Sequence, residues 1–300
     1  MSTEMDLGGR FEFPETSIKI NRMGYGAMQL AGPGVWGPPR DMDAAIKVLR
    51  AAIAAGVNHL DTSDYYGPHV TNQIIKKTLH PYPEDLVIVT KLGSRRGEDK
   101  SWNPALSRNE LFDGMHDNLR NLGVEQLDIV NLRVGGITAP SEGSIEAPVT
   151  ALVELKRRGL IRHIGLSNVT PRQLQEAQKI TEIVCVQNFY NVAYRNDDAF
   201  IDNLARQGIA YVPFFPLGGF SPLQSNALDR VAAIMQASPM QVALAWLLQR
   251  SPNILLIPGT SSTNHLGENL AAAELKLPLD VIGELNAIGE GVQAMAQAAH

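Results

Sequence analysis

Asn58-His59-Leu60-Asp61-Thr62-Ser63-Asp64-Tyr65-Tyr66-Gly67 begins apolar and ends in a cluster of ionisable and hydroxyl side chains. A short apolar run that stops at an acid and turns at a glycine reads as a strand delivering polar groups to one edge of a sheet. The strand itself is Asn58–Thr62. The same change of character recurs at Leu86–Lys91, which finishes in Thr90 and Lys91. Working outward, further strand-like runs occur at Arg22–Met28, Leu127–Leu132, His163–Ser167, Ile183–Asn188, Ile209–Phe214 and Ile254–Pro258. Most are continuously apolar rather than alternating, as strands covered on both faces of a parallel sheet must be.

Helix signals fill the intervals. Asp43–Ala55 places Ile46, Leu49 and Ile53 on one face and stops at Gly56. Ser107 with Glu110 makes a capping box ahead of Leu111, Met115, Leu119 and Leu122. Thr170-Pro171 and Ser238-Pro239 each set a capping residue before a proline suited to the first helical position. Leu152–Arg158 and Ala199–Gln207 run into Gly159 and Gly208. Eight alternating units without a composition break predict one α/β domain over residues 1–300, a closed (β/α)8 TIM barrel. Phe11–Ile20 reads as a small N-terminal β-hairpin at the barrel bottom, residues 1–10 as flexible, and Asp280–Ile288 as an extra C-terminal helix. The irregular stretches Ala31–Arg40, Ser94–Pro104 and Val134–Ile145 all follow strand C-termini, where such barrels carry their sites.

A net charge of -5 gives no footprint for nucleic acid or an anionic membrane. No apolar run approaches a membrane span and no signal peptide is visible, so the sequence reads as cytoplasmic. The single cysteine, Cys185, sits among Ile183, Val184 and Val186 and reads as an inert core thiol. Seven scattered histidines without a metal-ligand spacing predict no metal site. Gly24-Tyr25-Gly26 lacks the third glycine of a dinucleotide loop, since position 29 is Gln.

Asp61, Tyr66 and Lys91 therefore fall at neighbouring strand ends, in one mouth. An ordinary phenol, with a pKa of ~10, is a weak proton donor at neutral pH. A nearby ammonium lowers that value, and a carboxylate keeps the ammonium oriented. The same residues also read as a structural ion pair at the rim with a tyrosine beside it.

Four further segments accompany the opening one: Gly24-Tyr25-Gly26-Ala27-Met28, Ile161-Arg162-His163-Ile164-Gly165-Leu166-Ser167-Asn168, Gln187-Asn188, and Ile257-Pro258-Gly259-Thr260 with Glu268-Asn269. Together, and in this order, they resemble the aldo-keto reductase family, including its bacterial members similar to pyridoxal reductase. The resemblance implies NADPH-dependent reduction of an aldehyde or ketone, with NADH the less favoured cofactor. Tyr66 would be the general acid, Lys91 would lower its pKa and Asp61 would hold Lys91. Ser167, Asn168 and Gln187 would bind the nicotinamide carboxamide, while Gly26, Ala27 and Met28 line that side of the cleft. Phe214, followed by Phe215, Pro216 and Leu217, would stack on the ring. Gly259, Thr260, Ser261, His265, Glu268 and Asn269 would hold the adenosine and its phosphates.

The chain departs from the family pattern at Arg133, where a His is usual. An Arg cannot accept a proton, but it can stabilise a developing oxyanion. It favours a carbonyl substrate that also carries an anionic group, pyridoxal among them. Trp36 and Trp102 are candidate substrate walls beside Tyr66 and Arg133. Two other readings stay open: a Schiff-base aldolase using Lys91, and an NADPH-binding sensor with low turnover. The implied partner is a small carbonyl compound, and the implied state a monomer or weak oligomer.

Overall fold

The computed structural model describes residues 6–219 and 225–298. The strands in chain order are β1 (Arg10–Glu12), β2 (Lys19–Asn21), β3 (Tyr25–Gly26), β4 (His59–Asp61), β5 (Val87–Leu92), β6 (Ser94–Arg96), β7 (Trp102–Pro104), β8 (Leu127–Arg133), β9 (Ile161–Ser167), β10 (Cys185–Gln187) and β11 (Ala210–Tyr211). The helices are α1 (Met42–Ala54), α2 (Val70–Leu79), α3 (Arg108–Leu122), α4 (Glu146–Arg157), α5 (Pro171–Gln178), α6 (Asp198–Arg206), α7 (Asn226–Met235), α8 (Pro239–Arg250), α9 (Thr263–Ala271) and α10 (Leu279–Ala298).

Seven strands form one parallel sheet in the order β3-β4-β5-β8-β9-β10-β11. Every residue of β5 is buried, which accounts for its unbroken hydrophobicity. The eighth run, Ile254–Pro258, closes the sheet on both sides. Gly24 N–H donates to Leu256 O at 2.7 Å and Leu256 N–H to Arg22 O at 2.8 Å, while Leu255 N–H reaches Tyr211 O at 2.9 Å. Its partners β3 and β11 are only two residues long, so this seam consists of isolated bridges rather than a regular ladder. The result is a (β/α)8 barrel.

Two apolar layers hold it. The larger packs the helices onto the outside of the sheet. The smaller fills the barrel, with Val87, Val89, Ile129, Val212 and Leu255 meeting Phe13, Ile18 and Ile20 from the β1–β2 hairpin. The hairpin plugs the bottom as expected, with Phe11 paired to Ile20. Each such side chain, fully buried, contributes ~1.5–3 kcal/mol. Capping boxes form at Ser107, Thr170 and Ser238, with Glu110, Gln173 and Gln241 returning the bond.

Two expectations need correction. Residues 6–10 are not loose: Leu7 is buried, and its carbonyl accepts from Met23 N–H at 2.9 Å. The final helix runs well past Ile288. It passes through Gly289, where a Cβ would sit 2.5 Å from Arg195 Cδ, so the missing side chain lets the helix seat on Arg195. Among the described residues no single helix is long and apolar enough to cross a membrane.

The C-terminus of α8 shows what a one-dimensional reading misses. Arg22, from the start of the chain, donates through Nη2 to Leu248 O and Ser251 O at 2.7 Å each, and through Nε to Ile254 O at 3.0 Å. One guanidinium thereby satisfies the open carbonyls of a helix end and clamps the closing segment.

Candidate active site

Side chains along a strand alternate between faces. Val87 and Val89 face the barrel interior, so Lys91 does too, at its top. By the same count Ile129 brings Arg133 inward and Cys185 brings Gln187 inward. Asp61 enters this ring from β4. Lys91 Nζ lies 2.5 Å from Asp61 Oδ1 and donates to Thr62 O at 3.0 Å. Asp61 Oδ2 accepts from Gln187 Nε2 at 2.8 Å. Tyr66 arrives from the turn after β4, its ring centroid 5.2 Å from Lys91 Nζ.

The intervening residues point outward and lock the two strands. Thr62 Oγ1 donates to Asn72 Oδ1 at 2.8 Å and Thr90 Oγ1 to Asn118 Oδ1 at 2.6 Å. Asn72 Nδ2 joins the two through Asn118 Oδ1, and also donates to Asp64 Oδ1 at 3.0 Å. Asp64 Oδ2 pairs with His69 Nδ1 at 2.6 Å, at the surface. The backbones carrying Asp61 and Lys91 are thus pinned from behind by α2 and α3. Asp64, His69 and Asp117 are near enough to suggest cation ligands. Asp64 already accepts from Asn72, Asn121 and His69.

Burial raises the Tyr66 pKa most, Asp61 raises it further, and Arg133 opposes them; the net shift is upward. This differs from the expectation that Lys91 would lower it. The charge of Lys91 is spent on Asp61, and the cation acting on the phenol is Arg133. Tyr66 is therefore held as a neutral phenol. The Cys185 thiol, buried inside the barrel, is pushed up to about 12 by desolvation, which keeps it inert as expected.

The ring opens into a cavity of about 950 Å³. Asp61, Tyr66, Lys91, Arg133 and Gln187 all line it. So do Gly26, Met28 and Gly259 on one wall, Phe214, Phe215, Pro216 and Leu217 on another, and Trp102 at the rim. Other expected residues do not reach the lining. Ala27 is fully buried in a 3-10 turn. Ser167 lies beneath Arg133, its Oγ 3.3 Å from Nη1. Asn168 Nδ2 is taken by Gly136 O at 2.9 Å and Ala139 O at 2.7 Å. Trp36 faces Arg96 instead. Thr260 is buried, its hydroxyl accepting from Ser262 N–H at 3.0 Å. Ser261, His265 and Glu268 are exposed and Asn269 buried, on the segment following Gly259. The cavity also takes in Asn103, from the stretch Ser94–Pro104 expected to carry the site, and Tyr65, Leu106 and Met240, which sequence reading passed over. Tyr65 stood in the opening motif; Leu106 and Met240 are distant in sequence and carried no signal.

Residues 22–290 match the model of the aldo/keto reductase family. The chain belongs to the aldo/keto reductase family. It is 68% identical, over 271 residues covering 90% of this chain and 95% of the relative, to pyridoxine 4-dehydrogenase of Escherichia coli. It is 36% identical to an uncharacterized oxidoreductase of Schizosaccharomyces pombe over 93% of this chain and 90% of that one. A crystal structure of the thermostable aldo-keto reductase Tm1743, bound to the inhibitor epalrestat, superposes with a TM-score of 0.78 at 30% identity, covering 94% of this chain and 100% of that one. An aldo-keto reductase from Klebsiella pneumoniae, solved with NADPH, shares the fold with a TM-score of 0.75 at 20% identity, over 93% of this chain and 94% of that one. This aldo/keto reductase is accordingly an oxidoreductase of carbonyl compounds and their alcohols, and the Asp61–Lys91–Tyr66 cluster stands where its barrel opens.

Proposed function

We propose that this chain reduces pyridoxal, or an aldehyde like it with an anionic oxygen beside the carbonyl, using NADPH. The observation that carries the reading is the neutral Tyr66 phenol lining one cavity together with the Asp61–Lys91 pair and Arg133. The resemblance to a pyridoxine dehydrogenase supports it, since pyridoxine is the alcohol of pyridoxal.

The residues present fit a dinucleotide. Gln187 Oε1, on a residue that lines the cavity, is a buried acceptor without a partner, suited to an N–H of a carboxamide. Phe214 offers an aromatic face. The start of α9, capped by Ser262, presents free N–H groups and a positive dipole end for phosphate, with Ser261 and His265 beside it. Bound NADPH supplies the hydride. Tyr66 gives its proton to the carbonyl oxygen, a step worth ~10²–10⁴-fold. The Lys91–Asp61 pair holds the floor of the site. Arg133 meets the second, anionic oxygen; among the described residues no carboxylate pairs with it, and its Nη2 is steadied by Gly136 O at 2.7 Å and Ile137 O at 2.8 Å. Lys91 donates to Asp61 and Thr62 O, an arrangement for an ammonium rather than a Schiff-base amine. The same reading takes the enzyme as cytoplasmic and as a monomer or weak oligomer.

The test is NADPH oxidation with pyridoxal, benzaldehyde and methylglyoxal, before and after Arg133→Met. The reading requires KM for pyridoxal to rise more than KM for the two uncharged aldehydes. Equal losses on all three remove the anion-binding role of Arg133.

A further inference from the structure

Arg96 lies outside the reacting groups, at the end of β6. Its guanidinium carbon is 3.9 Å from the Trp102 ring centroid and 5.3 Å from that of Trp36. Its N–H groups donate to Val35 O at 2.7 Å, Lys100 O at 2.8 Å and Gly34 O at 3.2 Å. Among the described residues no carboxylate neutralises it, and its Nε is buried without a partner. The residue is only partly buried, and what fixes its guanidinium is the two indole faces and the three carbonyls.

Two of the three carbonyls belong to strained residues. Val35 has φ 56° and Lys100 φ 68°, both left-handed. That conformation is an outlier for a β-branched residue and is strained for any residue with a Cβ. Both strained carbonyls converge on one guanidinium. Arg96 thereby ties the loop Ala31–Arg40 to the β6–β7 hairpin across the barrel mouth. On the far side of the hairpin, the Trp102 ring meets Tyr65 edge-on at 5.8 Å, and Tyr65 meets Tyr66 edge-on at 5.4 Å. Trp102 and Tyr65 both line the cavity.

We infer that Arg96 is a positioning residue that fixes Trp102 as a flat wall of the substrate side, and so selects planar aromatic carbonyl compounds over aliphatic ones. The inference rests on the carbonyl-reductase reading above. A lysine cannot replace it, because the planar fork both stacks on the indole and reaches three carbonyls at once.

The experiment compares kcat and KM for benzaldehyde and butanal in the wild type, Arg96→Lys and Arg96→Leu, with NADPH affinity followed by protein fluorescence. Both variants are expected to lower the ratio of benzaldehyde to butanal kcat/KM by about tenfold, through KM, with NADPH affinity unchanged. Trp102→Leu, with Arg96 intact, should lower the same ratio, which keeps the test alive if the Arg96 variants fold poorly. Equal losses on both aldehydes, an unchanged ratio in Trp102→Leu, or full rescue by Arg96→Lys overturns the inference. A wild type that reduces pyridoxal but neither of these aldehydes overturns the inference, whereas one that reduces none of the three with NADPH sinks the carbonyl-reductase reading instead.

Discussion

Lys91 Nζ sits 2.5 Å from Asp61 Oδ1, and neither side chain is more than 5% exposed. Removing two ions from water costs several kcal/mol each, offset only while both remain. Lys91→Met should therefore destabilise the chain by ~3–5 kcal/mol, because Asp61 is left buried with Gln187 alone. Adding Asp61→Asn should restore most of that stability without restoring turnover. Urea unfolding of the two single variants and the double one reads this coupling directly. Single losses that simply add would show that the pair is not acting as a unit.

Tyr66→Phe should reduce carbonyl turnover by ~10²–10⁴-fold while leaving NADPH affinity in place. Reduction needs the protonated phenol. Burial and Asp61 raise its pKa, so the protonated range extends upward. The pH profile for reduction should show no loss from phenol ionisation as pH rises through ~10, the ordinary tyrosine value. A descending limb below that value, abolished in the Phe variant, would contradict the neutral-donor assignment.

His69 gives a pH dependence of stability. Its pKa is raised, first by the hydrogen bond to Asp64, with burial opposing. A value raised in the folded state means the contribution is fully present below the unfolded value of ~6.5 and is lost as pH rises through the folded one. Wild type should lose stability relative to His69→Gln over that window, measured as the midpoint of thermal unfolding against pH. Parallel curves for the two proteins would show that the Asp64 contact does not titrate.

Gly26 and Gly259 face each other across the closing seam. A Cβ on Gly26 would lie 2.4 Å from Ile257 O, and one on Gly259 would lie 2.6 Å from Gly26 O. Backbone oxygens cannot step aside as a side-chain tip can. Gly26→Ala should destabilise the chain by ~1–3 kcal/mol and weaken NADPH binding. Calorimetry checks both, and an unperturbed variant would mean that the seam is more compliant than its packing implies.

Strand ends were legible because chemistry changes abruptly there: Leu60 gives way to Asp61, and Thr90-Lys91 closes an apolar run. Period-two alternation then carries inward-facing valines to an inward-facing lysine. Helix starts were legible because Ser107, Thr170 and Ser238 carry local caps. The roles of Arg22 and Arg96 were not, since each is defined by carbonyls on segments far away in the sequence. Trp36 misled for the same reason: nothing near it in sequence shows that Arg96 stands between it and Trp102. Asn72 and Asn118 carried no signal in the sequence, because the threonines they bind lie on strands and not on their own helices.

The join between the first and last barrel segments carries a cost in time. Arg22 and Ile254, bonded across it, are 232 residues apart. A chain emerging from the ribosome makes β3 through β11 with two unpaired edges, and these stay open until Ile254–Pro258 has been synthesised. Gly26 and Gly259 both line the cavity, one on each side of that join. The active site is thus completed only late in translation, and a chain truncated before Ile254 has neither a closed barrel nor a place for the dinucleotide.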